Sequence, residues 1–454
     1  MTAYIIGWSH SKFGNLANET IESLIVEAGA SAIADAGLEP GDIDAIFVGT
    51  MNAGMTRQEF VSSLPLAISD DLRFKPATRV ENACATGSAA VYQARNAIAA
   101  GAARRVLVIG AEKMTELGSA AVGDCLIKAS YLPEEGETQG GFAGVFAGIT
   151  DAYFQRYGDK SDVLARIAAK NHRNGVANPY AHVRKDLGYE FCRGNDRNPL
   201  VAGRLRRTDC SMISDGAAAL VLADADTAAA AAKAIAFRSA VHVSDFLPVS
   251  RRDIIAMPGP SRAWRQALAD AGVGLDDLSL VETHDCFTTA ELLAYEAMGL
   301  TPQGQGERAI LEGWTEKDGK LPVNPSGGLK AKGHPIGATG VSMHVLAAMQ
   351  LQGEAGDFQL PGATSSGCST WAARRSSTMS ASWKRGSSRH ASAQTASPLA
   401  SSRALGLWAS GLWSRRPRPK PRLHPFGARH DRMPIRRPTV RAQAFQHGNR
   451  GGVR

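Results

Sequence analysis

The 454-residue sequence predicts an α/β fold in which a doubly wound unit occurs twice. Two observations carry this. Up to about residue 365, apolar runs four to eight residues long alternate with helical patterns. A segment near the start also recurs half a chain later: Ala34-Asp35-Ala36-Gly37 matches Ala269-Asp270-Ala271-Gly272, and Asp42 then falls on Asp277, at a constant offset of 235.

In chain order, the periodicity predicts a helix from Ile21 ending at Gly37, a buried strand in IDAIFVGT from Ile43, and another in RVLVIGAE from Arg105. Residues 115–210 are richer in Gly, Asn, Tyr and charge. They read as an excursion of helices and loops that returns to the first sheet at MISDGAAALVLADA. The second copy runs through SRAWRQALADAGVGLDDLSLVETHD. This gives a first half over 1–230, including the excursion, a second half over 231–366, and a tail over 367–454.

The charge divides the same way. The last 89 residues carry 18 lysines and arginines against the single acid Asp431, a net of +17, while the first 365 residues carry a net of −9. The overall +8 is therefore a property of the tail and not evidence for a nucleic-acid-binding body. The opening MTAYIIGWSHSKFG lacks a basic stretch followed by an apolar one, and no run reaches the roughly 18 apolar residues of a membrane span. Six cysteines at scattered spacings form no CxxC pair or zinc pattern. A soluble, cytoplasmic protein with reduced thiols and no metal is expected.

Cys84, in RVENACATGSAA, falls between a strand and a helix, where free backbone N–H groups and the helix dipole favour a thiolate. A buried small hydrophobe is the ordinary reading of a free cysteine, and the local sequence leaves both open. His334, in NPSGGLKAKGHPIGATG, sits on a Gly-rich turn before a helix near Ala338 and could act as a base or merely brace the turn. Lys330 and Lys332 read as solvated or near a ligand's phosphates. THDCF places His284, Asp285 and Cys286 at the C-terminal end of the repeated strand, where open α/β sheets bind ligands. Strand alternation sends such neighbours to opposite sides, so the trio is not a metal signature.

ENACATGSAA, THDCF and KGHPIGATG, in this order, resemble the thiolase superfamily, in particular the branch similar to sterol-carrier-protein thiolases and acetyl-CoA acetyltransferases, with HDCF where other thiolases have NEAF. The resemblance implies a five-layer αβαβα fold of two βαβαβαββ halves with an inserted loop domain. It implies an acyl-CoA acyltransferase that forms or cleaves 3-ketoacyl-CoA reversibly: Cys84 as nucleophile, His334 as its base, His284 completing an oxyanion hole with His334, and Cys286 as the acid/base at the α-carbon. Ser326, Gly327 and Gly333 are expected near the CoA thioester. The coenzyme A thioester is a substrate, and no permanently bound cofactor is implied. A homodimer or homotetramer and a small OB-fold partner complete the picture, with no nucleic acid and no membrane span. The rival readings are a non-catalytic or partner-dependent acyl-CoA-binding scaffold and a related ketoacyl synthase.

The sequence departs from this family after GDFQLPGATSSG. Members continue into a Gly-rich loop that shares the acyl oxygen with the nucleophile, whereas here CSTWAARRSSTMSASWKR and a Ser, Arg and Pro-rich stretch follow, a composition read as unable to form the expected strand. Plausible codons for Cys368 to Arg385, read one base out of phase, give VFNMGGAAVVNYVSILEA, an apolar strand behind a Gly-Gly loop. An out-of-frame, disordered basic tail is expected from residue 367, and Cys368 is discounted as a second catalytic cysteine in favour of Cys286.

Overall fold

The computed structural model describes residues 2–372 and 376–384, with side chains up to Thr370. The rest of the expected tail, and the loop expected to complete the acyl oxygen's site, lie outside the described residues.

Among the described residues there are eleven strands: β1 (Tyr4–His10), β2 (Ala45–Gly49), β3 (Ala77–Val80), β4 (Arg105–Glu112), β5 (Leu200–Ala202), β6 (Leu205–Arg206), β7 (Gly216–Ala223), β8 (Ile235–Ser244), β9 (Leu280–Thr283), β10 (Ser365–Ala372) and β11 (Ser376–Lys384). β5 and β6 form a small hairpin, and the others are hydrogen-bonded in the order β3-β2-β4-β7-β1-β8-β11-β10-β9. The order is internally symmetric. In the first half β3, β2 and β4 are parallel, followed by antiparallel β7 and β1. In the second, β9 and β10 are parallel, followed by antiparallel β11 and β8. A single parallel bridge between Val281 and Val323 stands where β3 stands in the first half.

The repeat holds beyond the matched residues. Gly37 and Gly272 end their helices at φ 66° and 67°, the left-handed conformation that favours glycine. The next turns, Pro40–Asp42 and Leu275–Asp277, keep the offset of 235. Asp42 accepts from the backbone N–H of Glu39 and Asp277 from that of Gly274, at 3.0 and 2.8 Å. Strands β2 and β9 then begin at Ala45 and Leu280, again 235 apart.

Three layers of helix enclose the sheets. α1 (Ile21–Asp35) packs Ile21, Leu24 and Ile25 on the outer face of the first half, against Ile46, Val48 and Leu107. Between the halves lie α2 (Thr86–Ala99) and, from the second half, the helix Ile336–Gln352, whose Val91, Val341 and Val345 share a core with Val106, Leu220 and Leu280. Its side chains are buried on every side, as its apolar composition requires. On the far side Pro258–Ala271 buries Trp264 against Leu278 and Val281. This is the αβαβα arrangement. The excursion holds the helices Ser119–Leu126, Gly141–Tyr157, Ser161–Gly175 and Gly188–Gly194.

One expectation is corrected. The composition after residue 366 argues against the expected strand, yet β10 pairs in parallel with β9 from Ser366↔Leu280 to Ser369↔Thr283, and β11 runs between β10 and β8. The ladder is made by backbone groups that every non-proline residue carries. The side chains record a cost: the hydroxyls of Ser366 and Thr370 are buried with no hydrogen-bond partner among the described residues.

Candidate active site

The nucleophile candidate sits where the first half's outer parallel strand turns into the central layer. After β3 the chain makes a short 3-10 turn, Ala83–Ala85, and enters α2 at Thr86. Ala83, immediately before Cys84, has φ 44°, a left-handed conformation costly for a residue with a Cβ. Its N–H is held by the Glu81 carboxylate at 2.5 Å. Cys84 is buried yet forms part of a cleft wall.

The central helices meet at glycines. A Cβ on Gly110 would lie 2.5 Å from the Gly337 carbonyl, one on Gly337 would lie 2.5 Å from the carbonyls of Ala111 and Gly49, and one on Gly340 would strike the Ser88 backbone. The GATG spacing thus lets the Ile336–Gln352 helix touch β4 and α2, and so sets His334, two residues before it, opposite Cys84. Glu112 fastens the junction by accepting from Thr50 Oγ1, Met51 N, Asn52 N and Gly337 N at 2.9 to 3.0 Å.

His334 has a defined tautomer. Thr339 Oγ1 donates to the Pro335 carbonyl at 2.9 Å and lies 2.6 Å from His334 Nδ1. With its one proton given away, the hydroxyl accepts from Nδ1–H, which leaves the Nε2 lone pair available. Nε2 is buried without a hydrogen-bond partner among the described residues. Burial, with His284 and Lys332 nearby, holds the imidazole well below the usual histidine range, so it is neutral.

THDCF brings in the remaining groups. The His284 and His334 rings meet edge to face at 5.0 Å, and one ligand-type atom each from Cys84, His284 and His334 lie within 4.8 Å of one another. Burial, then Lys332, pushes His284 down to about 3. Cys286 lies on the same cleft as Cys84, and burial, then Cys84 and Asp285, pushes its thiol up, so it holds its proton. Asp285 points the other way and accepts from Leu329 N at 2.7 Å, Lys330 N at 3.3 Å and Asn171 Nδ2 at 2.9 Å, tying the THDCF turn to the segment before His334. Phe287 stacks on Phe146 of the excursion at 4.2 Å.

The cleft, of about 260 Å³, is walled by apolar side chains including Met51, Met114, Leu126, Phe142, Ile213 and Ile336. With the Cys84 thiol, the neutral imidazoles of His284 and His334 and the protonated Cys286 thiol at one end, it can carry out acyl transfer with proton exchange at a neighbouring carbon.

One placement differs from expectation. Lys330 and Lys332 are buried, not solvated, because the whole segment Gly328–Lys332 is folded inward; Lys332 Nζ donates to Ser342 Oγ at 2.9 Å. Ser326, Gly327 and Gly333 do not line the cleft. Ser326 binds Glu282 through its hydroxyl at 2.7 Å, and Gly327 and Gly333 take φ 97° and 105° in the loop that carries His334, so they shape that loop. Thr339, Glu112 and the cleft walls were missed by sequence reasoning; only the Thr in GATG, five residues after the histidine, offered a signal. Cys368 is buried and donates to the Met343 carbonyl at 3.6 Å, off the cleft.

Comparison with known proteins decides the family. The model described as thiolase, N-terminal domain matches residues 3–187, and the thiolase C-terminal domain-like model matches residues 240–382. The chain belongs to the thiolase family. An acetyl-CoA acetyltransferase of Methanothermobacter thermautotrophicus is 39% identical to this thiolase, over 79% of this chain and 93% of the relative. The human sterol carrier protein 2 is 33% identical over 79% and 68%. Among solved structures, the Ltp2-ChsH2(DUF35) aldolase superposes with a TM-score of 0.70 at 22% identity, covering 84% of this chain and 98% of that one. Human mitochondrial 3-ketoacyl-CoA thiolase in complex with CoA gives 0.64 at 16%, covering 85% and 98%; both show the shared fold. This thiolase is an acyl-CoA acyltransferase.

Proposed function

We propose that this chain cleaves and forms 3-ketoacyl-CoA through an acyl-enzyme on Cys84. The observation that carries the reading is the convergence of Cys84, His284 and His334 within 4.8 Å, with Cys286 on the same cleft. In the cleavage direction His334 Nε2 takes the Cys84 proton, and the thiolate attacks the 3-keto carbonyl. The Cα–Cβ bond breaks, and the enolate left on the shortened acyl-CoA, stabilised by N–H donors of His284 and His334, takes its proton from the Cys286 thiol. The Cys286 thiolate then removes the proton of an incoming CoA thiol; the CoA thiolate attacks the Cys84 thioester and departs as the second acyl-CoA, while the Cys84 thiolate that leaves takes its proton back from His334 Nε2. Condensation is the reverse. The apolar cleft suits the acyl chain, and no permanent cofactor enters the cycle.

The test is a single-turnover comparison with Cys286→Ser. Acetyl transfer from acetyl-CoA to Cys84 persists, while cleavage of acetoacetyl-CoA falls by about 10²- to 10⁴-fold. Equal losses in both steps would contradict the separate role of Cys286.

The reading extends to assembly. Among the described residues β3 is an outer strand of the sheet, with Phe60 and Phe74 exposed on the neighbouring segments, which favours pairing with a second copy in a homodimer or homotetramer. A small OB-fold partner is included because the Ltp2-ChsH2(DUF35) aldolase carries a second component in its name. Among the described residues no helix is long and apolar enough to cross a membrane, and all six cysteines are free, which fits the reducing cytoplasm.

A further inference from the structure

We propose that Cys84, His284 and His334 form a latent zinc site that holds the enzyme in a reversible off state. Three ligand-type atoms, one thiol sulfur and two imidazole nitrogens, lie within 4.8 Å of one another. Around a tetrahedral zinc ion such atoms stand about 3.3–3.6 Å apart, as bond lengths of about 2.3 Å to sulfur and 2.0–2.1 Å to nitrogen require. Side-chain rotations close that difference.

The chemistry of the set agrees. A base able to take the Cys84 proton is, through the same lone pair, a metal ligand, and Thr339 on Nδ1 already fixes which nitrogen of His334 offers it. One sulfur and two imidazoles match the soft-to-borderline preference of Zn²⁺ over Mg²⁺ or Ca²⁺. Cys84 and His334 both face the cleft, which gives the ion a path in and leaves its fourth position to water or a substrate thiol. On binding, the Cys84 S–H bond breaks, its proton passes to solvent, and the thiolate and the Nε2 lone pair are both taken up by the metal. The nucleophile and its base are then occupied together, and a chelator restores them. The site is an inhibitory one and differs from the sequential His284-Asp285-Cys286, because Asp285 points away from the cleft and accepts from Leu329 N.

The test needs no coenzyme A, so it stands or falls apart from the acyl-enzyme reading. Metal-free protein is titrated with zinc against a chromophoric chelator, and with cobalt(II) as a spectroscopic substitute. In parallel, alkylation of Cys84 by iodoacetamide is followed by peptide mass spectrometry, with Cys210 on the same cleft wall as internal reference. The expected result is one zinc per chain, a thiolate-to-cobalt charge-transfer band, and Cys84 alkylation slowed by zinc and restored by EDTA while Cys210 is unchanged. Loss of an outer partner of a metal ligand costs about 10- to 100-fold in affinity, so His284→Ala is expected to lose at least about 100-fold. Its Cys210 alkylation rate and circular dichroism report whether it is folded. Zinc that leaves Cys84 alkylation unchanged, or that binds the folded His284→Ala protein as tightly as wild type, overturns the proposal.

Discussion

Thr339 does for His334 what a carboxylate does in many catalytic pairs, but with a neutral hydroxyl whose own proton is committed to Pro335. Thr339→Val keeps the shape and removes the acceptor. Acetylation of Cys84 should slow by about 10²-fold through loss of orientation while the melting temperature changes little. A rate equal to wild type would show that the turn alone orients the ring. The pH profile is a second check. His334 is held well below 6.5 when folded, so its neutral, basic form persists as the pH falls through that value and is lost only at the lower one. The acylation rate is therefore expected to show no histidine limb near 6.5; a half-maximal point there would place the ring in water. At this scale the motifs made Cys84, His284, Cys286 and His334 legible, because their chemistry is written in residue type. Thr339 and Glu112 were not, because a hydroxyl or carboxylate gains its role only from atoms far away in sequence.

The helix pair α2 and Ile336–Gln352 shows why elements were easier to read than their contacts. Periodicity and the glycine stops at 37 and 272 marked helices and strands to within a few residues, since they depend on local backbone preference. The burial of Lys330 and Lys332 could not be read in this way: a KAKG segment looks solvated until the fold buries it beside the His334 turn. Gly340→Ala tests the contact. The added methyl would strike the Ser88 backbone and push the helices apart, costing about 1–3 kcal/mol and displacing His334 from Cys84. Chemical denaturation should show the loss of stability together with slower acylation; loss of neither would mean that the helix–helix distance is not set there.

Across the whole molecule, duplication offers a comparison within one chain. β4 and β7 of the first half read RVLVIGAE and GAAALVLA; their counterparts β10 and β11 read SSGCSTWA and SSTMSASWK. Position in the sheet asks for apolar residues, and Thr370 instead buries a hydroxyl without a partner. We propose that residues from about 367 onward are out of frame. Rewriting 368–385 as VFNMGGAAVVNYVSILEA should raise stability by more than about 2 kcal/mol, from apolar burial and the removal of one orphaned hydroxyl, and speed acylation. An unchanged denaturation midpoint would contradict the proposal. The central claim, that this fold exists to carry an acyl group on one thiol, is tested most directly by incubating the protein with acetyl-CoA and mapping the product by peptide mass spectrometry. One acetyl group on the Cys84 peptide, absent in Cys84→Ala, is the expected result; no adduct in either chain form, or an adduct that survives Cys84→Ala, would contradict it.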